Sequence, residues 1–482
     1  MLTRHPIRYA SLILLCAALG TISPVSLRQG RAVSMTASAD PYLVYDFEPG
    51  GHSSFPRNLV QMNGSLYLIT DFNQSEKLWK VENPVAAPQM LAEFANPTAG
   101  NNLMEYLTVV GNTLFFSADS NTKMYDLWKS DGTSTGTVLV KDIGPGLSYH
   151  SPLYYLSDVN GTLLFAARED LLGYRIWKSD GTEAGTQMVK DRPPAVDVIS
   201  SRFISTGNHL FFVGTAGQTG SDKYKLWRSD GTAAGTLVPK DINPAGDAVY
   251  NMLDKDWLGV DGVLYFHAND GSGYALWRSD GTQAGTYLVK GNTPIYPTHF
   301  AGMDSRIFFA GNDASLDNEL WRSDGTADGT VVVKNINPLA SSVPQYLTNV
   351  NGTLFFIAND GTHGTELWKS DGTEQRTVLV KDIRANGNCF CQGLTNVNGT
   401  LYFSADDGVH GRELWRSDGT SAGTVMVADL NPGSNGSFPA SFINISSTLY
   451  FVADDGNHGQ ELWASDTTSI RYWFYLPLIL KR

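Results

Sequence analysis

Apolar residues in this chain fall in short runs closed by turn residues, and the runs recur in sets of four. Residues 392–430 show one set. Leu394 to Val397 reads as a strand, and Asn398-Gly399 as a two-residue hairpin turn whose positions both take φ > 0. Leu401 to Ala405 is a second strand and Glu413 to Arg416 a third, joined by the loop Asp407-Gly408-Val409-His410-Gly411. Ser417-Asp418-Gly419-Thr420 turns the chain into a fourth strand, Gly423 to Leu430. No stretch carries the i, i+3, i+4 apolar spacing of a helix. Tyr402 and Phe403 are adjacent, as are Leu414 and Trp415, and neighbouring strand residues point to opposite faces. Each sheet therefore has two apolar faces and must be covered on both.

The set repeats along the chain. Trp79, Trp128, Trp177, Trp227, Trp277, Trp321, Trp368, Trp415 and Trp463 are spaced by 49, 49, 50, 50, 44, 47, 47 and 48 residues. Such a period marks units that bury their faces on their neighbours. Four short antiparallel strands covered on both sides describe a propeller blade. The expected fold is all-β, a single β-propeller of nine four-stranded blades. Eight blades plus a divergent repeat, or an open β-solenoid, are the alternatives. Tyr42 to Phe47 matches the fourth-strand pattern of Val138 to Ile143, and the ninth repeat lacks its own fourth strand. The N-terminal segment is expected to close the ring by pairing near Glu461 to Ala464, leaving no open edge.

The run Glu413-Leu414-Trp415-Arg416-Ser417-Asp418-Gly419-Thr420, with Gly423-Thr424, resembles the ELWxxDGT repeat family of secreted bacterial proteins. The resemblance spans about residues 41–466 and implies an extracellular, propeller-like repeat protein. Repeat 1 lacks the Asp-Gly-Thr, and repeat 9 reads Asp466-Thr467-Thr468. Repeat 7 has Arg376 where others have Gly, which forbids any φ > 0 conformation there.

Residues 1–39 read as a signal peptide: Arg4 and Arg8, an apolar stretch from Leu12 to Leu19, then Ala37-Ser38-Ala39. Residues 40–470 form the propeller and 471–482 an apolar tail, too short for a membrane helix and expected to pack on the propeller. The formal charge is −13, and −17 without the four arginines of residues 1–39. That acidity argues against nucleic acid and anionic membranes as partners. Localisation is expected to be secreted or cell-surface, with the chain a monomer. Cys389 and Cys391 are an even pair for that compartment; a local disulfide, free thiols and metal ligation all stay open.

The Asp-Gly-Thr turns (Asp131, Asp180, Asp230, Asp280, Asp324, Asp371, Asp418) read as self-bonded hairpin turns rather than a cation ring. Asn63, Asn160, Asn351 and Asn398 read as turn residues rather than glycan acceptors, and Asn435 opens a further acceptor triplet. The second-to-third-strand loops vary in repeats 2 to 6. In repeats 7 to 9 they carry Asp360 and His363, Asp407 and His410, and Asp455 and His458, each followed by a Glu (Glu366, Glu413, Glu461). These six residues are the candidate ligand site: carboxylate oxygens suit weakly held Ca²⁺ and neutral His suits Zn²⁺, while a plain solvated turn accounts for the loops with no cofactor, which is the expectation. Arg202, His299 and Tyr346 are candidates to line a central channel. Sequence alone points to a non-enzymatic protein that binds an extracellular protein or glycan through its variable rim. The alternative is a propeller enzyme, a glycan lyase or hydrolase or a quinone-dependent oxidoreductase, working at the channel mouth.

Overall fold

A computed structural model describes residues 33–37, 40–73, 75–95, 104–119, 125–143, 153–168, 173–189, 196–198, 203–216, 223–249, 256–291, 295–315, 317–385, 387–467 and 470–474. The fold is a nine-bladed β-propeller. Blade 1 spans 57–95, blade 2 104–141, blade 3 154–188, blade 4 196–237, blade 5 257–290, blade 6 298–334, blade 7 345–381, blade 8 392–428 and blade 9 440–466. Strands within a blade are antiparallel and named a to d in chain order, strand d of blade 9 excepted. Strand a of each blade touches strand a of the next, and strand a of blade 9 touches that of blade 1. The a strands therefore ring the centre.

Two-sided patterning produces the core. Each repeat Trp sits on strand c opposite a residue of strand b, which is Phe in every blade except blade 1, where Leu68 faces Trp79. All eight of these Phe side chains are fully buried. The core divides into nine clusters, one between each pair of adjacent blades. Trp415 of blade 8, for instance, packs with Phe355, Ile357 and Leu367 of blade 7. The indoles are thus blade-to-blade wedges, as their period predicts. Trp79 and Trp128 are only partly buried.

Closure follows the expected route. Tyr42–Tyr45 is strand d of blade 9 and pairs with Gln460–Asp466, Leu43 lying opposite Trp463. Phe47 then joins Leu66, Leu68 and Tyr450 between blades 9 and 1. Blade 4 is the irregular one. Its strand a is split into Val196–Val198 and Ile204–Ser205, both paired with Leu210–Ala216, and its fourth strand is a single bridge between Arg228 and Leu237.

A second unit comprises residues Met1–Ser38 and Thr468–Arg482. Within it Val33–Ala37 and Ile470–Phe474 form an antiparallel pair, so the described part of the tail is a strand with its own partner. The signal-peptide features from Arg4 to Leu19 lie outside the described residues.

Candidate functional site

One rim is built from turns that bond to themselves. In blade 8 the Asp418 carboxylate accepts from the N–H of Thr420 at 2.8 Å and from its hydroxyl at 2.7 Å, while Gly419 takes φ 87°. These bonds hold Asp418 below the usual carboxylate range, the hydroxyl contributing most. The same bonds recur at Asp131, Asp180, Asp230, Asp280, Asp324 and Asp371. Asn63, Asn160, Asn351 and Asn398 lie at φ 49–52°, completing the hairpins on that side. Lys240, Lys334 and Lys381 each donate to a carbonyl in the next blade's turn, those of Thr286, Thr377 and Thr424.

Arg376 requires a correction. The glycines at its position in other repeats, Gly423 among them, do not sit at positive φ. A Cβ on Gly423 would meet the Asp418 carboxylate at 2.1 Å, so glycine is there for close approach rather than for φ. Arg376 instead places its Nε 3.4 Å from Asp371.

The opposite rim carries the strand b–c loops and the blade-to-blade crossovers, and holds the sequence candidates. Asp407 Oδ1 accepts from the N–H groups of Val409 and His410, both at 2.9 Å, and Oδ2 lies 2.8 Å from His410 Nδ1. Asp360 with His363, and Asp455 with His458, repeat this arrangement. Each pair closes within its own loop, and each His is raised above its ordinary pKa by its bond to the Asp. The structure brings Asp and His together within a blade. Among the described residues it assembles no group of three or more His, Cys, Asp or Glu placed for a metal.

The glutamates after these loops belong to the scaffold. Glu413 is fully buried and accepts from the N–H groups of Leu430, Asn431 and Ser437 and from the Ser437 hydroxyl, fastening the crossover into blade 9. Ser437 is the third residue of the Asn435 triplet and is spent on this tie. Glu319 holds Ile336, Asn337 and Ser342 likewise. Glu461 holds Phe47 and Ser54, so the same device seals the ring. Burial raises all of these carboxyls, Glu461 to about 7 and Glu366 to about 8. Burial and then the nearby Asp382 charge raise Glu366, and at its crossover Cys389 stands where the counterparts have a serine. Cys389 is disulfide-bonded to Cys391, and both are buried.

Towards the centre, every described a strand except those of blades 4 and 5 is bulged at one place. The bulged residues Asn58, Tyr106, Tyr155, His299, Tyr346 and Ser441 take φ 53–59°, and Gly393 takes φ 65°. Left-handed non-glycine residues cost on the order of 1–3 kcal/mol each and collect at functional sites. His299 and Tyr346 were legible as channel candidates; Arg202 lies outside the described residues. Three residues before the bulge stand Phe55, Tyr296, Val343, Phe390 and Phe438, themselves at φ 47–51° and between 45 and 53 % exposed.

Beside the bulges of blades 1 to 3 lies a cavity of about 530 Å³. Its wall includes Arg57, Asn58, Glu105, Tyr106, Tyr155 and Phe203, all on or next to a strands of blades 1 to 4. Tyr106 and Tyr155 have ring centroids 6.2 Å apart, and Tyr155 and Phe203 5.4 Å. Arg57 is paired with buried Glu76 at 2.7 Å. Burial, then the neighbouring Glu105, raises the Tyr106 phenol. Sequence reading missed this site because blades 1 to 4 depart from the repeat, and its bulged residues Asn58, Tyr106 and Tyr155 share only the position five before the first residue of the hairpin turn.

No protein-family model matches the chain, and no curated protein sequence matches it. Among solved structures, the computationally designed Ika8 protein aligns over 86 % of this chain and 97 % of its own, at 14 % identity and a TM-score of 0.41. Puromycin hydrolase aligns over 77 % of this chain and 61 % of its own, at 13 % identity and a TM-score of 0.35. An uncharacterized protein of Listeria monocytogenes EGD-e aligns over 83 % and 97 %, at 10 % identity and a TM-score of 0.36.

Proposed function

We propose that this chain is a secreted or cell-surface repeat protein, of the ELWxxDGT kind, that binds an extracellular protein or glycan on its crossover rim. The observation that carries this reading is the crown of Phe55, Tyr296, Val343, Phe390 and Phe438 at equivalent positions in five successive blades. Large apolar side chains held in solvent at one mouth of a ring are a recognition surface rather than a core. Strained backbone keeps them there, since each lies in the left-handed region. Arg384 and Arg412 lie over the rings of Phe390 and Phe438 at 5.4 and 5.7 Å, adding polar contacts beside the apolar anchors. On the same rim the b–c loops of repeats 2 to 6 differ from blade to blade, as partner-reading loops do. Among the described residues no helix is long and apolar enough to cross a membrane.

The test is retention of fluorescently labelled chain on cell-envelope material, against a variant combining Phe55→Ser, Phe390→Ser and Phe438→Ser. Their exposure means the variant should melt like the parent while retaining at least about tenfold less binding, since three anchors are lost. Undiminished retention by a well-folded variant would sink the reading.

A further inference from the structure

We infer that the cavity walled by the a strands of blades 1 to 4 is a carbohydrate site that takes the end of a neutral glycan chain. This deepens the proposed binding role, on which it rests, by naming the ligand and moving its anchor into the channel. The volume of about 530 Å³ falls within the range of about 300–1,000 Å³ of small-molecule sites. Its wall mixes two kinds of surface. Tyr106, Tyr155 and Phe203 offer aromatic rings, which pack against the C–H faces of a sugar. Asn58, Thr108 and Ser157 offer amide and hydroxyl groups. The two hydroxyls donate inward, to the carbonyls of Leu156 and Tyr155, at 3.1 and 3.0 Å, and so present lone pairs to a ligand hydroxyl.

Charge narrows the ligand further. Among the described residues the wall's cation is Arg57, neutralised by Glu76, and its carboxylate is Glu105, so the described wall offers no cluster of one sign for a strongly ionic ligand. A peptide is the competing occupant, because a strands present an edge to the channel. Strand addition needs a regular edge, and the bulges at Asn58, Tyr106 and Tyr155 interrupt it in all three blades. The side chains at these bulges are not required by the backbone. Blade 8 makes the same bulge with Gly393, the residue that takes φ 65° without strain. Asn and Tyr therefore stand at a position where glycine is easier, and the cavity is what they line.

Glycine at this position is thus a substitution the fold already contains. The full chain should be titrated calorimetrically with maltotriose, cellotriose, mannotriose, xylotriose and tri-N-acetylchitotriose. At least one should bind, and Asn58→Gly and Tyr155→Gly should each weaken it about tenfold or more. Asn58→Gly should leave the melting temperature unchanged or raised, and Asp371→Asn, in the self-bonded turn of blade 7 on the other rim, should leave binding unchanged. Failure of all five sugars to bind, or a sugar whose affinity neither glycine variant alters, overturns the inference. A peptide that binds in the cavity in place of sugar does so too. If envelope material is still retained and the crown variant abolishes it, the rim reading stands while the carbohydrate site falls.

Discussion

Blades 6 to 9 and blades 1 to 4 have the same architecture and do different things with it. In blades 6 to 9 the position two before the repeat Trp is always Glu, and Glu319, Glu366, Glu413 and Glu461 each tie a crossover to the blade before it. In the other arc that position is Lys77, Asp126, Arg175 and Lys225. Glu76, one residue earlier, takes over the tie in blade 1 by accepting from the N–H of Met104. Lys225 in blade 4 inverts it, donating to Asp241 at 2.5 Å. What stays constant around the ring is the Trp wedge, while the polar tie is replaceable. The arc that gave up the uniform tie holds the large channel cavity. Packing therefore sets the ring, and the divergent blades are where it differentiates.

The contrast can be broken in graded ways. The largest effect should come from deleting residues 40–47, which removes strand d of blade 9, the Phe47 contact and one donor to Glu461 together. The unpaired edge should lower the denaturant midpoint more than any point substitution and promote aggregation, read by light scattering. A deletion variant as stable as the parent would refute closure by this strand. Next, Trp415→Ala should cost about 3–5 kcal/mol in urea denaturation, as for a buried aromatic in a packed core. Trp79→Ala should cost less, because that indole is only partly buried. Equal losses would mean the two arcs pack alike. Third, Glu413→Ala should cost about 1–3 kcal/mol by leaving buried N–H groups without an acceptor. Lys225→Ala, at the inverted tie, should fall below that.

The pH dependence is smaller and has a definite sign. Glu366 at about 8 and Glu461 at about 7 bind protons in the folded chain that they release when unfolded, where a Glu titrates near about 4.3. Their contribution to stability is present at low pH and falls as pH rises from about 5 to 8. His363, His410 and His458, raised by their Asp partners, lose theirs in the same direction. Urea midpoints should decline across this range, and Glu366→Gln should flatten the decline. A rising midpoint would contradict the assignment. The smallest effect should be that of a chelator. Asp360, Asp407 and Asp455 have both oxygens engaged in their own loops, so the melting temperature should not move. A drop would restore a cation to those loops.

The ring was legible because its causes are local and repeated. Adjacent large residues such as Leu414-Trp415 demand two covered faces, Asn398-Gly399 dictates its own hairpin, and Tyr42-Leu43-Val44 repeats a fourth-strand pattern with no blade of its own. The Asp-His loops were legible as pairs, and their internal bonding follows from a three-residue spacing that closes a turn. Two things were hidden. Glu413 looks like a loop-side ligand in sequence, and only the crossover returning to it, with Ser437 24 residues on, shows a structural tie. The cavity joins Asn58, Tyr106, Tyr155 and Phe203 through ring geometry, across roughly a repeat each, and no local pattern announces a bulge that accepts Asn, Tyr, His, Ser or Gly.

The central claim is that the Asp-His loops of blades 7 to 9 are scaffold and that the cavity walled by the a strands of blades 1 to 4 holds the glycan end. Hydrogen exchange of the full chain, with and without the trisaccharide that binds most tightly, tests it most directly. The account predicts slowed exchange at residues 57–60, 105–108 and 155–157, with residues 360–363, 407–410 and 455–458 unchanged. Protection confined to those three Asp-His loops would contradict it.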